Sequence, residues 1–462
     1  MNPTPESPSS LPRRVGLWSA TAIVIGSIIG SGIFRSPAGV ANRLPGPGAM
    51  LSVWVIGGVF SLCGVLTLAE VASALPRTGG LYVFLREGWG RLSAFLFGWS
   101  ELVIIRAAAL GAIATTFAEY FLRVLGYDPA VAPYDQYAHY VAAVSIALTA
   151  AINIAGVRWG AAIQVVTTVA KYGGLLLIIA LALFIGLPRT GGHFTPLWPE
   201  GGFAIAPFGL ALVSCLWAYD GWADLSFMSG EVKDPGRNLP RALIVGTLAV
   251  MFIYVLANVA YLAVLSVEEV RRSPLVAADV AQRLLGLPGV RFVATTVMFS
   301  TFGALSGALL TTPRIFFAMA DDGLLFRRVA SVHPRFQTPW VAISLAAVLG
   351  IAFVLVRTFE QLADTFVTAI LPFYALGVAS IFTLRGRAGY QPAFRAPGYP
   401  VVPALFILAV IYLLGNSLLD PSTRLGTLGV IGGILLGIPV YYFVDGRAAR
   451  DAGEVSRAGP LR

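Results

Sequence analysis

Apolar residues run along this chain in twelve long stretches, at 15–42, 48–75, 92–124, 137–156, 159–187, 205–230, 240–266, 289–320, 339–357, 361–384, 401–419 and 425–445. A helix crossing hydrocarbon needs about 20 apolar residues, so the pattern predicts an all-α polytopic membrane protein with about 12 transmembrane helices. Two stretches depart from it. In the first, Gly26-Ser27-Ile28-Ile29-Gly30-Ser31-Gly32-Ile33-Phe34 sets two glycines around a serine near mid-span. In the sixth, Leu216-Trp217-Ala218-Tyr219-Asp220-Gly221-Trp222-Ala223-Asp224 places two acids and a glycine in an apolar run. A spanning helix must satisfy its own backbone, and non-helical backbone at depth is tolerated only where protein buries it or a watery cavity meets it.

Breaks at positions one and six are corresponding members of two five-helix halves. They point to a 5+5 inverted repeat with a midplane site between the halves. Residues 13–400 then form the ten-span core, and 401–445 hold spans eleven and twelve outside the repeat. Residues 1–12 and 446–462 are polar tails. A second reading of span one is packing, since Gly26-xxx-Gly30 and Ser27-xxx-Ser31 are small-xxx-small patterns. The two readings are compatible if Gly26 packs while Gly30 and Gly32 unwind.

Composition strengthens the membrane assignment: the chain is 57% hydrophobic and 12% charged, against about a quarter charged for soluble domains. A net charge of +9 could suggest nucleic acid, but its distribution is topological. Twenty of the 32 Lys and Arg fall on the inner side of the twelve-span layout and nine on the outer. Arg35, Arg106 and Lys171 lie within spans. The positive-inside rule therefore puts both termini in the cytoplasm and the protein in the cytoplasmic membrane, with the bilayer and no nucleic acid as partner. No cleaved signal peptide is evident, because the first apolar stretch is long for an h-region. His139, His193 and His333 lie far apart, and no HExxH or GxSxG motif occurs, so neither an enzyme nor a metal or cofactor site is expected. No selectivity-filter-like repeat favours a channel.

Several stretches resemble the amino acid–polyamine–organocation superfamily, and within it bacterial relatives of the L-type amino acid transporters. They are Gly26–Phe34, Ala69-Glu70 followed by Leu75-Pro76-Arg77-Thr78-Gly79-Gly80, Glu101–Arg106, Ala218-Tyr219-Asp220-Gly221-Trp222, and Glu231–Arg241. The likeness runs from about residue 15 to about 400. It implies the leucine-transporter-like fold and sodium-independent transport of amino acids, neutral ones above all, as an exchanger. Proton-coupled symport, or transport of cationic amino acids or amines through Asp220, are the alternatives.

The chemistry suits a zwitterion. A half-helix starting near Ser31 offers free N–H groups and the positive end of a helix dipole to a carboxylate. A half-helix ending near Ile28 offers free carbonyls to an ammonium. The resemblance implies that Gly30, Ser31 and Gly32 receive the carboxylate, that Ile28, Trp217, Ala218 and Asp220 supply the amine side, and that Trp217 covers the substrate. Asp220 also reads as an N-cap for the second half of span six. Lys171, one of two lysines in the chain, would stand in for the sodium that related folds hold between spans one and eight. Glu101 and Arg106 are five residues apart, not the four of a facing pair, so a separate partner is expected for each in a structural or gating network. Glu70 with Arg77 and Glu231 with Arg237 read as gating or loop-fixing charges. Animal L-type members join a glycoprotein through a loop cysteine. Cys63 and Cys215 both lie in spans, so no disulfide-linked heavy subunit is expected.

Overall fold

The computed structural model describes residue 13 and residues 15–77, 79–155, 172–198, 204–324, 329, 331–336 and 338–443. Among them, nine helices are long and apolar enough to cross a membrane. A bent pair, α1 (Leu17–Ile28) and α2 (Gly32–Ala41), makes a tenth span, and two shorter apolar helices stand at Ile205–Tyr219 and Trp340–Val356. These occupy the twelve predicted stretches. The chain continues through α3 (Pro47–Ala74), α4 (Leu81–Trp89), α5 (Arg91–Val124), α6 (Tyr134–Ala155) and α7 (Tyr172–Thr190). The second half holds α8 (Ile205–Tyr219), the one-turn α9 (Asp224–Phe227), α10 (Pro235–Val264), α11 (Val267–Arg272), α12 (Val276–Asp321), α13 (Trp340–Val356) and α14 (Phe359–Leu384). The chain ends in α15 (Val401–Leu419) and α16 (Arg424–Phe443).

Local sequence sets these limits. Proline opens α3 and α10 at the first helical position, where its missing N–H loses nothing. Capping boxes start α11 at Ser266 and Glu269, and α14 at Thr358 and Gln361. The 46-residue α12 is two helices merged across Gly286, whose φ of 65° and ψ of −154° break the helix. The eighth span therefore begins just beyond Gly286, as the sequence predicts. Helix α4 was not expected, since nine residues cannot span a bilayer. It is set between Gly80 and Gly90, both at positive φ, and buries Leu81 to Leu85.

Packing separates two groups of helices. Helices α1, α2, α3, α8 and α10 pack on one another, and α5, α6, α12 and α13 form the other set, with α14 touching both. At the end where α3 stops, Glu70 is fully buried and accepts from Arg385 Nε at 2.8 Å, from its Nη2 at 2.6 Å and from the Ala396 amide at 2.6 Å. This corrects the Glu70–Arg77 pairing, because Arg77 turns to Glu87 at 3.4 Å. Glu70 instead pins the loop after α14 to the end of α3. Nearby, the Lys233 amide donates to the Val15 carbonyl at 2.8 Å and the Val15 amide to the Glu231 carbonyl at 3.0 Å. This ties the entry to α1 to the exit from α9 through their backbones. No ion pair joins Glu231 to Arg237 among the described residues.

Arg385→Ala would leave the Glu70 carboxylate buried without its cation and is expected to lower stability by about 3–5 kcal/mol. Thermal melting of the purified variant checks this, and an unchanged midpoint contradicts it.

Candidate substrate site

The two broken spans meet at their breaks. Helix α1 ends at Ile28, Ile29 turns extended at ψ 91°, and α2 resumes at Gly32 after a 42° bend. Helix α8 ends at Tyr219, Asp220 is extended at ψ 156°, and Gly221 sits at φ +104°, a region that favours glycine. Each break leans on the other through a glycine. A Cβ on Gly32 would overlap Cα and Cβ of Ala218, and one on Gly221 would lie 2.7 Å from the Ser27 carbonyl. Gly30 differs, since a Cβ there meets nothing nearer than 3.9 Å. Close approach therefore requires Gly32, whereas Gly30 borders open space.

The hydroxyl of Tyr254 in α10 fastens this junction, 2.9 Å from the Ile28 carbonyl oxygen and 3.0 Å from that of Ala218. Its ring packs edge-on to Trp54 and beside Tyr219, whose hydroxyl donates to the Trp54 carbonyl at 2.9 Å. Two orphan carbonyls of the broken helices thus share the single hydroxyl proton of one buried tyrosine. The Ile28 oxygen keeps a second lone pair. On the other side of the break, the amides of Ser31, Gly32 and Ile33 have no protein acceptor among the described residues.

A cavity of about 150 Å³ lies against Gly30, Ser31 and Gly32. Of the residues singled out in the sequence, Ile28, Gly30, Ser31, Gly32, Trp217, Asp220, Glu101 and Arg106 line it. Ala218 does not; it packs behind, against Gly32 and Tyr254. Lys171 lies outside the described residues. The cavity reaches Phe97 and Phe227 toward the Glu70 end. Toward the opposite end the Trp217 ring closes it, meeting Phe366 and Phe359 edge-to-face at 5.1 and 6.1 Å. Past Trp217, Arg35 of α2 binds Glu119 at 2.8 Å, Glu360 at 3.5 Å and the Pro274 carbonyl at 2.9 Å, with Phe359 under its guanidinium. The cavity is sealed on that side by rings and then by charge.

Two expectations are corrected. Glu101 and Arg106 pair directly, because residues Glu101–Ile105 form a π-helical turn and the Arg106 amide bonds the Glu101 carbonyl. In an i→i+5 turn, residues five apart stack as residues four apart do in an α-helix. Asp220 does not cap the second half of span six. Its Oδ1 accepts from the Tyr374 hydroxyl at 2.7 Å, and α9 begins with no side-chain cap. Sequence reasoning gave no site role to several lining groups, among them Asp224, Tyr374 and Phe366. Asp224 carried the signal of any ionisable residue within a span. A tyrosine or phenylalanine in an apolar helix carries none.

A cavity between paired helix breaks, walled by backbone amides and a few charges, defines a secondary transporter. Residues 15–430 match the amino acid permease family model. The chain is 34% identical to the serine/threonine exchanger SteT of Bacillus subtilis over 445 residues, covering 96% of this chain and 99% of that protein. It is 32% identical to the mouse Asc-type amino acid transporter 1, over 94% of this chain and 81% of the other. It is 31% identical to the human large neutral amino acids transporter small subunit 2, over 94% and 80%. The chain belongs to the amino acid permease family: it is an integral membrane transporter of amino acids and not an enzyme.

Gly32→Val is expected to break the α2–α8 contact and abolish both a monodisperse protein and transport, whereas Gly30→Ala folds normally. Size-exclusion profiles and uptake assays check the pair, and an active Gly32→Val protein contradicts the close-approach role. Tyr254→Phe strands the Ile28 and Ala218 carbonyls and should lower stability by about 1–3 kcal/mol. Melting measurements test this.

Proposed function

We propose that the chain is a sodium-independent exchanger of neutral L-amino acids, working by alternating access in the cytoplasmic membrane with both termini in the cytoplasm. The observation that carries the reading is the start of α2, where the amides of Ser31, Gly32 and Ile33 have no protein acceptor among the described residues and Ser31 and Gly32 line a cavity of amino-acid size. Three N–H groups at a helix start suit a carboxylate. The substrate ammonium goes to the carbonyls of the first break at Ile28 and of the last turn of α8, where Trp217 and Asp220 lie. Trp217 serves as the gate over the bound molecule.

Exchange is supported by the Bacillus relative, a serine/threonine exchanger, and neutral substrates by the human one, a large neutral amino acids transporter subunit. The cytoplasmic position of the termini rests on the twenty inner Lys and Arg. The Glu70 end of the fold is then the inner one and the Arg35 end the outer, so the cavity with its outer seal corresponds to an inward-facing form. Residues 13–400 act as the transporting core and 401–445 as an added pair. Glu101 and Arg106 serve as a wall charge pair of the site. Lys171 supplies the fixed ammonium that replaces sodium. No disulfide to a second subunit forms, because the sequence has two cysteines, Cys215 is buried in α8, and Cys63 is half-buried in α3.

Asp220 supports one further reading. Among the described residues, it lines the cavity with Glu101 and Asp224 against the one guanidinium of Arg106. That surplus of carboxylates suits a cationic substrate or a transported proton.

Saturable uptake of labelled serine into proteoliposomes, dependent on amino acid loaded inside, is the expected result. Uptake unaffected by internal loading contradicts exchange, and acceleration by an inward proton gradient favours the carboxylate reading. Replacing sodium by choline should leave the rate unchanged. Lys171→Ala should fold yet lose most transport, and a fully active variant would remove its proposed role.

A further inference from the structure

A second cavity, of about 530 Å³, lies between α8, the start of α14 and the turn joining α15 to α16. Its polar wall includes Arg43, Arg357, Asp364, Thr365, Thr368 and Thr427. Arg43 reaches Asp364 at 3.2 Å and the Ser214 hydroxyl. Arg357 donates to the Thr365 hydroxyl at 3.2 Å and lies over the Phe353 ring, and no carboxylate pairs with it among the described residues. Two guanidiniums therefore face one carboxylate. Helix α16 adds to this field, because its first turn lines the cavity and the amides of Leu425 and Gly426 have no carbonyl acceptor. Helix-start amides beside a guanidinium without a carboxylate, that of Arg357, are the chemistry of an oxyanion site.

The mouth of the cavity indicates where the oxyanion comes from. Val356 and Leu425 flank it, apolar side chains that are 77% and 82% exposed. Both stand at helix ends, the depth at which headgroups lie. A basic pocket between helices with apolar flanks is shaped for a headgroup above and acyl chains beside it.

We infer that this cavity binds a phosphate oxyanion, carried by a phospholipid headgroup, through Arg357, Arg43 and the first amides of α16. The occupant would brace helices that also build the central cavity. Thr365 and Thr368 of α14 alternate with Phe366 and Ile370, which line the substrate cavity, and Val213 stands one turn before Trp217 on α8. Spans eleven and twelve, which lie outside the repeat, then hold a lipid that steadies the repeat.

The test compares the full-length wild type with Arg357→Gln and Arg357→Lys, by native mass spectrometry after extraction from phosphatidylglycerol-containing membranes. In parallel, melting temperatures are measured with sodium phosphate against sodium chloride at equal ionic strength. The expected result is a retained phospholipid on the wild type, reduced about tenfold by Arg357→Gln and largely kept by Arg357→Lys. If lipid retention is equal but phosphate stabilises the wild type and not Arg357→Gln, the oxyanion site stands and its occupant is free phosphate. If neither lipid nor phosphate distinguishes the variants, the inference is wrong. Should Arg357→Gln fail to fold, Arg43→Gln carries the same comparison. Amino-acid exchange is not read out, so this result is independent of the proposed function.

Discussion

The structure depends on one constraint: backbone polar groups inside a bilayer must find partners within the protein or in a cavity. Two breaks in spanning helices would each expose orphan carbonyls and amides to hydrocarbon. Here they are placed against each other, with Gly32 on Ala218 and Gly221 on Ser27, at distances that admit no Cβ. Tyr254 then closes over two of the orphan carbonyls. What is left over is a set of amides at the start of α2, where Ser31 and Gly32 line a cavity. Tyr254 serves the carbonyl side of the break, while the amides on the other side have no protein acceptor among the described residues.

This division explains why the site needs few ionised side chains at the point of contact. The charges stand around it instead. Arg35, Glu119 and Glu360 lie beyond Trp217, while Glu101, Arg106, Asp220 and Asp224 form the wall. At the other end Glu70 and the Val15–Val232 bridge tie loops and helix termini together. Layers of aromatic and ionic contact on one side of the cavity are what alternating access requires of one of its two states. The added pair α15 and α16 contributes elsewhere, through the second cavity it completes with α8 and α14.

Much of the fold was legible in the sequence because bilayer physics is written in composition. The twelve apolar runs correspond, among the described residues, to ten span candidates and two shorter apolar helices, and glycines and acids at membrane depth marked both breaks. The Gly30-Ser31-Gly32 segment was legible as a break, though its two glycines differ in use: one for contact, the other beside open space. The π-helical turn at Glu101–Ile105 was not legible, since no residue type marks a turn wound one residue wider. Reading those positions as an α-helix separated a pair that the fold brings together. Tyr254 and Tyr374 were equally hidden, because a tyrosine in an apolar helix looks like any packed aromatic until its hydroxyl is located. Asp220 was found by its charge but given the wrong partner, since a cap is a local reading and Tyr374 is 154 residues away.

The central claim is that backbone amides at the start of α2 hold the carboxylate of an amino acid. Competition against labelled serine exchange in proteoliposomes, by serine and by its carboxylate-blocked methyl ester and amide, tests it most directly. The account predicts that serine competes fully and that both blocked analogues lose competition by roughly a hundredfold or more, as expected when charge-assisted hydrogen bonds go unmade. Equal competition by the blocked analogues would contradict it.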